Sequence, residues 1–119
     1  QVLRRLAREL SYATGAVVVC FAVEQDAVVG YALFDHGSEV DDYLSVPEFH
    51  GPRPPGDVIS LEANPRVVQR LTGADPASVR AVARSASSPS ELPPARELAA
   101  QIGALMGIEG ADRGFSDQA

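Results

Sequence analysis

The stretch that decides the fold runs from Ala16 to Val46 and reads AVVVCFAVEQDAVVGYALFDHGSEVDDYLSV. It opens on a short, valine-rich apolar run, Ala16 to Val23. A run of that length with no polar alternation suits a strand buried on both faces, which belongs at the centre of a sheet. Glu24-Gln25-Asp26 is a polar turn, and Ala27 to Phe34 is a second β run in which Gly30 marks a bulge or a close backbone approach. Asp35-His36-Gly37 is a tight hairpin signal, and Ser38 to Val46 alternates polar and apolar residues as an edge strand does. The three runs predict an antiparallel β-meander over residues 16–46.

Upstream, Val2, Leu3, Leu6, Leu10 and Ala13 recur at helical spacing, with Gly15 as a stop. This predicts an amphipathic helix whose wet face carries Arg4, Arg5, Arg8 and Glu9. Downstream, Pro47 to Asp57 holds four prolines and two glycines and reads as an ordered loop, because proline brings no amide donor to a sheet. Helical signals follow: Asp57 as the cap of a short helix to Glu62, Asn64-Pro65, Asp75-Pro76 opening a helix to about Ala86, Ser88-Pro89, and Pro93-Pro94. The last helix sets Leu98, Ile102, Leu105 and Met106 on one face. Strands clustered together with helices to one side make an α+β domain: an N-terminal helix, the three-stranded meander, then a group of helices packed on one face of the sheet. The 119 residues fit one domain, expected over residues 1–108, with residues 109–119 as a polar, frayed tail.

Composition narrows the function. Cys20 is the only cysteine, so neither an internal disulfide nor a cysteine-based zinc site is available. A lone thiol suits a reducing compartment, and a cytoplasmic protein is expected. The chain starts on Gln1 rather than Met and reads as trimmed. No apolar run approaches a bilayer-spanning length, and no membrane role is expected. All ten cations are arginines and Asn64 is the only asparagine, a bias that reads as high-GC bacterial coding. Net charge is −6, unevenly spread. Residues 24–62 hold nine acids against Arg53 alone, while residues 1–23 and 63–88 are net basic, so the poles are expected to meet in the fold. Acidity of this kind argues against general nucleic-acid binding, which works by phosphate neutralisation.

Each residue able to do chemistry has a plain alternative. His50 lies beside Phe49 in the proline-rich loop and could join Glu48 and Asp57 as an acid–base or metal group. No second histidine stands at ligand spacing, however, and an exposed loop histidine is the simpler reading, with no metal and no cofactor expected. Cys20 sits in an apolar run and reads as a small buried hydrophobe. In the third strand, Val40, Asp42, Leu44 and Val46 share the more apolar face, expected to meet the core, with Asp42 as an edge-strand charge that discourages aggregation. The opposite face, Asp41, Tyr43 and Ser45, is then expected to be exposed. Arg66/Arg70 and Arg80/Arg84 are spaced i, i+4, and residues 65–86 loosely resemble a helix-turn-helix, but Pro76, Ala77 and Ser78 are poor base readers. No phosphate loop or nucleophile elbow is present.

The pattern Y-x-L-F-x-x-G-x-x-V-D-x-Y-x-S-x-P-E-F from Tyr31 to Phe49, followed by P-P-G-D at Pro54–Asp57 and L-T-G-A at Leu71–Ala74, resembles a family of small uncharacterised bacterial proteins with members in high-GC actinobacteria. The resemblance spans about residues 12–108 and carries no catalytic residue over.

The expected function is a non-enzymatic protein-binding module, immunity-like or antitoxin-like in role. Its expected interaction surface is Asp41, Tyr43, Ser45, Glu48, Phe49 and His50. The alternatives are a small hydrolase using Asp41 or Asp42 with His50, and a DNA binder through residues 65–86. The exposed third strand also offers a homodimer contact.

Overall fold

The structure, a computed structural model, describes residues 2–108 and the pair Phe115–Ser116. Helix α1 (Val2–Thr14) leads into strands β1 (Val18–Glu24), β2 (Val28–Asp35) and β3 (Ser38–Leu44). Helices α2 (Pro55–Ser60), α3 (Pro65–Thr72), α4 (Pro76–Val82) and α5 (Ala95–Leu105) follow, with a 3-10 turn at Pro89–Glu91 before α5. The meander is antiparallel throughout. Its second hairpin has the two-residue loop His36-Gly37, both at positive φ (50° and 82°), which matches the twist of the flanking strands.

Phe115–Ser116 form a short strand β4 parallel to β1, giving the sheet order β3-β2-β1-β4. The rest of the expected tail, residues 109–114 and 117–119, lies outside the described residues.

Strand alternation sends side chains to two cores. Phe21, Val23, Val29, Tyr31, Leu33 and Tyr43 point to the face covered by α3, α4 and α5, where they meet Val68, Val79, Leu98 and Ile102. Ala32 and Phe34 point to the other face, against Ala7 of α1, with Val18 and Cys20 alongside. The C-terminal helices therefore pack on one face, and α1 closes the other.

The strand buried on both faces is β2, not β1 as the apolar run suggested. β2 lies between two full-length neighbours, whereas β1 has, among the described residues, the two of β4 on its far side, and Ala22 is left exposed. Gly30 permits a close approach: a Cβ there would stand 2.9 Å from Leu44 Cδ2 and 3.1 Å from the Tyr43 carbonyl oxygen.

Local caps set the helix starts. Asn64 Oδ1 accepts from the Arg66 and Val67 amides, and Asp75 Oδ2 from the Ser78 amide at 3.0 Å. Helix α2 begins at Pro55, two residues before the expected cap Asp57, which lies in its first turn. Helix α4 ends at Val82 rather than near Ala86, because the next residues are drawn to the end of β3: Ser85 Oγ donates to the Leu44 carbonyl, and the Ala86 amide to the Ser45 carbonyl.

Candidate functional site

The register of β3 decides where the expected site residues go. Leu33 pairs with Asp41 but Phe34 pairs with Glu39, so Val40 is the extra residue of a bulge. The bulge turns Val40 toward the larger core and leaves Glu39 and Asp42 on the α1 side. There Arg4 Nη1 meets Glu39 Oε1 at 2.8 Å and Arg4 Nη2 meets Asp42 Oδ1 at 3.2 Å, while Arg8 Nη2 lies 3.8 Å from Glu39 Oε2. Asp42 thus joins an ion-pair group that ties α1 to β3. The basic start of the chain and its acidic middle meet at this point; a separate ion pair joins Arg96 of α5 to Asp26 at 3.2 Å.

Asp41, Tyr43 and Ser45 face inward, the reverse of the orientation expected from their polarity. All three are buried, Tyr43 completely. Each polar atom has a partner supplied from elsewhere in the fold. Tyr31 Oη donates to Asp41 Oδ2 at 2.6 Å, and the Asn64 amide donates to both carboxylate oxygens at 3.1 and 3.2 Å. Tyr43 Oη donates to the Arg84 carbonyl at 2.7 Å. Ser45 Oγ accepts from the Val29 amide at 2.9 Å. The Tyr31 and Tyr43 rings stack, with centroids 5.2 Å apart.

Burial raises the pKa of Asp41; the donors Tyr31, Asn64 and the Asp42 amide oppose the shift without cancelling it. Burial first, and then the bond to Asp41, pushes the Tyr31 phenol far up, and burial does the same to Tyr43. These three residues lock β3 to the segments that follow it. They are not a recognition surface.

The outer edge of β3 is also occupied. The Leu44 amide donates to the Leu61 carbonyl at 3.0 Å, and the Asp42 amide to the Asp41 carboxylate. Strand-to-strand pairing of two copies here, expected from the exposed alternation, finds these donors already used.

Of the expected surface, the loop residues remain. Glu48 and His50 are exposed and Phe49 is half-buried. The loop is held in shape by Arg53, whose Nε donates to the Pro47 carbonyl at 2.7 Å and whose amide donates to Glu48 Oε2 at 3.1 Å. His50 Nε2 contacts Glu24 Oε1 at the end of β1, and its ring packs edge-on against Phe49. The carboxylate facing His50 is therefore Glu24, not Asp41 or Asp42. Those two acids point to opposite faces of the sheet and each is committed elsewhere, so the fold does not assemble the expected acid–histidine group. Among the described residues no cluster of three or more His, Cys, Asp or Glu is placed to hold a metal ion.

Cys20 is half-buried beneath α1, with its thiol pKa raised by burial against an opposing pull from Arg4. It lines a cavity of about 200 Å³ whose wall includes Leu3, Arg4, Gly30 and Leu44, below the size of a typical small-molecule site. Helices α3 and α4 follow one another across the short connection at residues 73–75. Val68 and Val79 are buried in the core, and α4 is seven residues long with Arg80 as its only cation.

Helix α1 is also oriented differently from the sequence expectation. Its sheet-facing residues are Ala7 and Ser11, both buried, and Ser11 Oγ accepts the Gly37 amide at 2.9 Å. Their small side chains let the helix approach Ala32 and Phe34 closely, and Arg4 and Arg8 reach β3 from the same side. Of the apolar stripe expected to face inward, Leu3 is half-buried, but Val2, Leu6 and Leu10 are turned outward, 75%, 58% and 50% exposed. At such exposures the three side chains offer about 300 Å² of mostly apolar surface, at the lower end of the range where a patch on a small protein acquires a role. The i, i+4 spacing was the available signal; its direction was not.

Comparison with known proteins finds no family model, no curated protein and no solved structure that matches this chain. Among the described residues no helix is long and apolar enough to cross a membrane.

Proposed function

We propose that this chain is a non-enzymatic protein-binding module that binds through the outer face of α1. The observation that carries this reading is the exposed row Val2, Leu6 and Leu10 on a helix whose other face is well packed. Asp41, Asp42, Tyr31 and Tyr43 are engaged in holding the fold, whereas among the described residues Val2, Leu6 and Leu10 join neither hydrophobic core. A row of aliphatic anchors at helical spacing is a common way for a helix to engage another protein surface. The proline-rich loop with Glu48, Phe49 and His50 is a second, more polar surface of the same module. An immunity-like or antitoxin-like role suits a small acidic binder of this kind.

A photo-crosslinking residue placed at Leu6 in the producing cell tests the proposal. It is expected to capture protein at high yield. The same residue at Ala100, exposed on α5, serves as the control, and equal yields at the two positions would sink the reading.

A further inference from the structure

The geometry points to a second copy of this chain as the occupant of the α1 stripe, paired antiparallel across a two-fold axis at the level of Ala7. This rests on the protein-binding reading above and names its partner. In a helix each residue rises 1.5 Å and turns 100°. A perpendicular two-fold axis at residue 7 therefore brings residue n of one helix level with residue 14 − n of the other. Val2, Leu6 and Leu10 of one copy then alternate with Leu10, Leu6 and Val2 of the second at steps of about 3 Å, an interdigitating ladder.

The charges along the stripe agree with the same axis. Arg4 and Arg8 are spent on Glu39 and Asp42. Arg5 and Glu9 are exposed, lie on the flank of the stripe, and have no ion-pair partner among the described residues. The axis at residue 7 sets Arg5 of each copy level with Glu9 of the other, on the same flank, which makes two reciprocal ion pairs. A parallel arrangement would instead set Arg5 against Arg5. The stripe sets the strength of the pair: two copies contribute about 600 Å² in total, the size of a weak, reversible contact rather than a permanent one.

An anionic bilayer fits less well. The chain carries net charge −6, and the exposed flank holds one cation beside one acid, where interfacial helices carry several cations. The β3 edge, the other route to self-association, is occupied at Asp42 and Leu44.

Sedimentation equilibrium on the full chain tests the pairing. The wild type is expected to sediment at twice the 12.5 kDa chain mass at concentrations of about 100 μM, and Leu6→Glu to remain monomeric with an unchanged circular-dichroism melt, since Leu6 is exposed. Arg5→Glu and Glu9→Arg should each weaken the dimer about tenfold by placing like charges opposite one another. An equimolar mixture of these two variants should recover wild-type affinity as a heterodimer, a result that no loss of helix stability can imitate.

A monomeric wild type, a dimer indifferent to Leu6→Glu, or a mixture that fails to recover overturns the pairing. So does Leu6-dependent binding of the monomer to phosphatidylserine vesicles. If the wild type is monomeric and the Leu6 crosslinker captures a different protein, self-pairing fails and the protein-binding reading stands. If the crosslinker captures nothing, both fail.

Discussion

Tyr31→Phe removes one oxygen from the interior and tests whether β3 is locked as described. The Tyr31 hydroxyl, buried with its ring, donates to Asp41 Oδ2 at 2.6 Å. Without it the buried carboxylate keeps only the backbone donors of Asn64 and Asp42. A hydrogen bond to a charged acceptor contributes about 1.5–3 kcal/mol, and for a domain of this size that is a fall in Tm of roughly 5–12 °C. The second signature is alkaline. Tyr31 and Tyr43 both have pKa values raised by burial above the ordinary 10. Above pH 10 the unfolded chain sheds these protons while the folded chain keeps them, so stability falls as pH rises. Each tyrosine contributes a slope of about 1.4 kcal/mol per pH unit, and the pair about 2.7. Tyr31→Phe should halve that slope, and Tyr43→Phe should halve it too at a smaller neutral-pH cost of about 1 kcal/mol, because its acceptor is an uncharged carbonyl. Guanidinium unfolding at pH 7 and at half-unit steps from pH 10 to 11.5 measures both. A Tyr31→Phe protein within about 0.5 kcal/mol of wild type at pH 7, or with the wild-type alkaline slope, would refute the reasoning.

Other substitutions probe the remaining contacts. Asp41→Asn should remove the part of the pH dependence that comes from the raised carboxyl: the wild type loses stability as pH climbs out of the carboxylate range through the Asp41 pKa, and in an acid-to-neutral denaturation series the variant should not. Gly30→Ala drives a methyl into Leu44 Cδ2 at 2.9 Å and the Tyr43 carbonyl at 3.1 Å; chemical denaturation should report a loss of about 1–3 kcal/mol. Asn64→Ala strips the α3 cap from the Arg66 and Val67 amides and should cost about 1 kcal/mol. Arg4→Ala cuts α1 from Glu39 and Asp42. Because that arginine is about a third exposed, screening holds the expected cost to about 1 kcal/mol, and the difference from wild type should shrink in 1 M salt.

The amino-acid sequence by itself determined the elements: the meander and its hairpin loop at His36-Gly37, the proline-rich loop, and the helix starts at Asn64-Pro65 and Asp75-Pro76. These are local matters of φ, capping and apolar spacing, and neighbouring residues settle them. Which face of an element turns inward was decided only in three dimensions. On β3 the polar residues Asp41, Tyr43 and Ser45 went inside because Tyr31, Asn64, the Arg84 carbonyl and the Val29 amide satisfy them, and the Val40 bulge brought Glu39 and Asp42 round to Arg4. On α1 the small pair Ala7 and Ser11 and the arginines Arg4 and Arg8 won the sheet over the larger aliphatic residues. Close packing and ion pairing with distant strands outweighed local hydrophobicity there, and left Val2, Leu6 and Leu10 facing outward. Periodicity along a helix records that an apolar face exists; only the neighbours that the fold brings to it decide whether that face is core or contact surface.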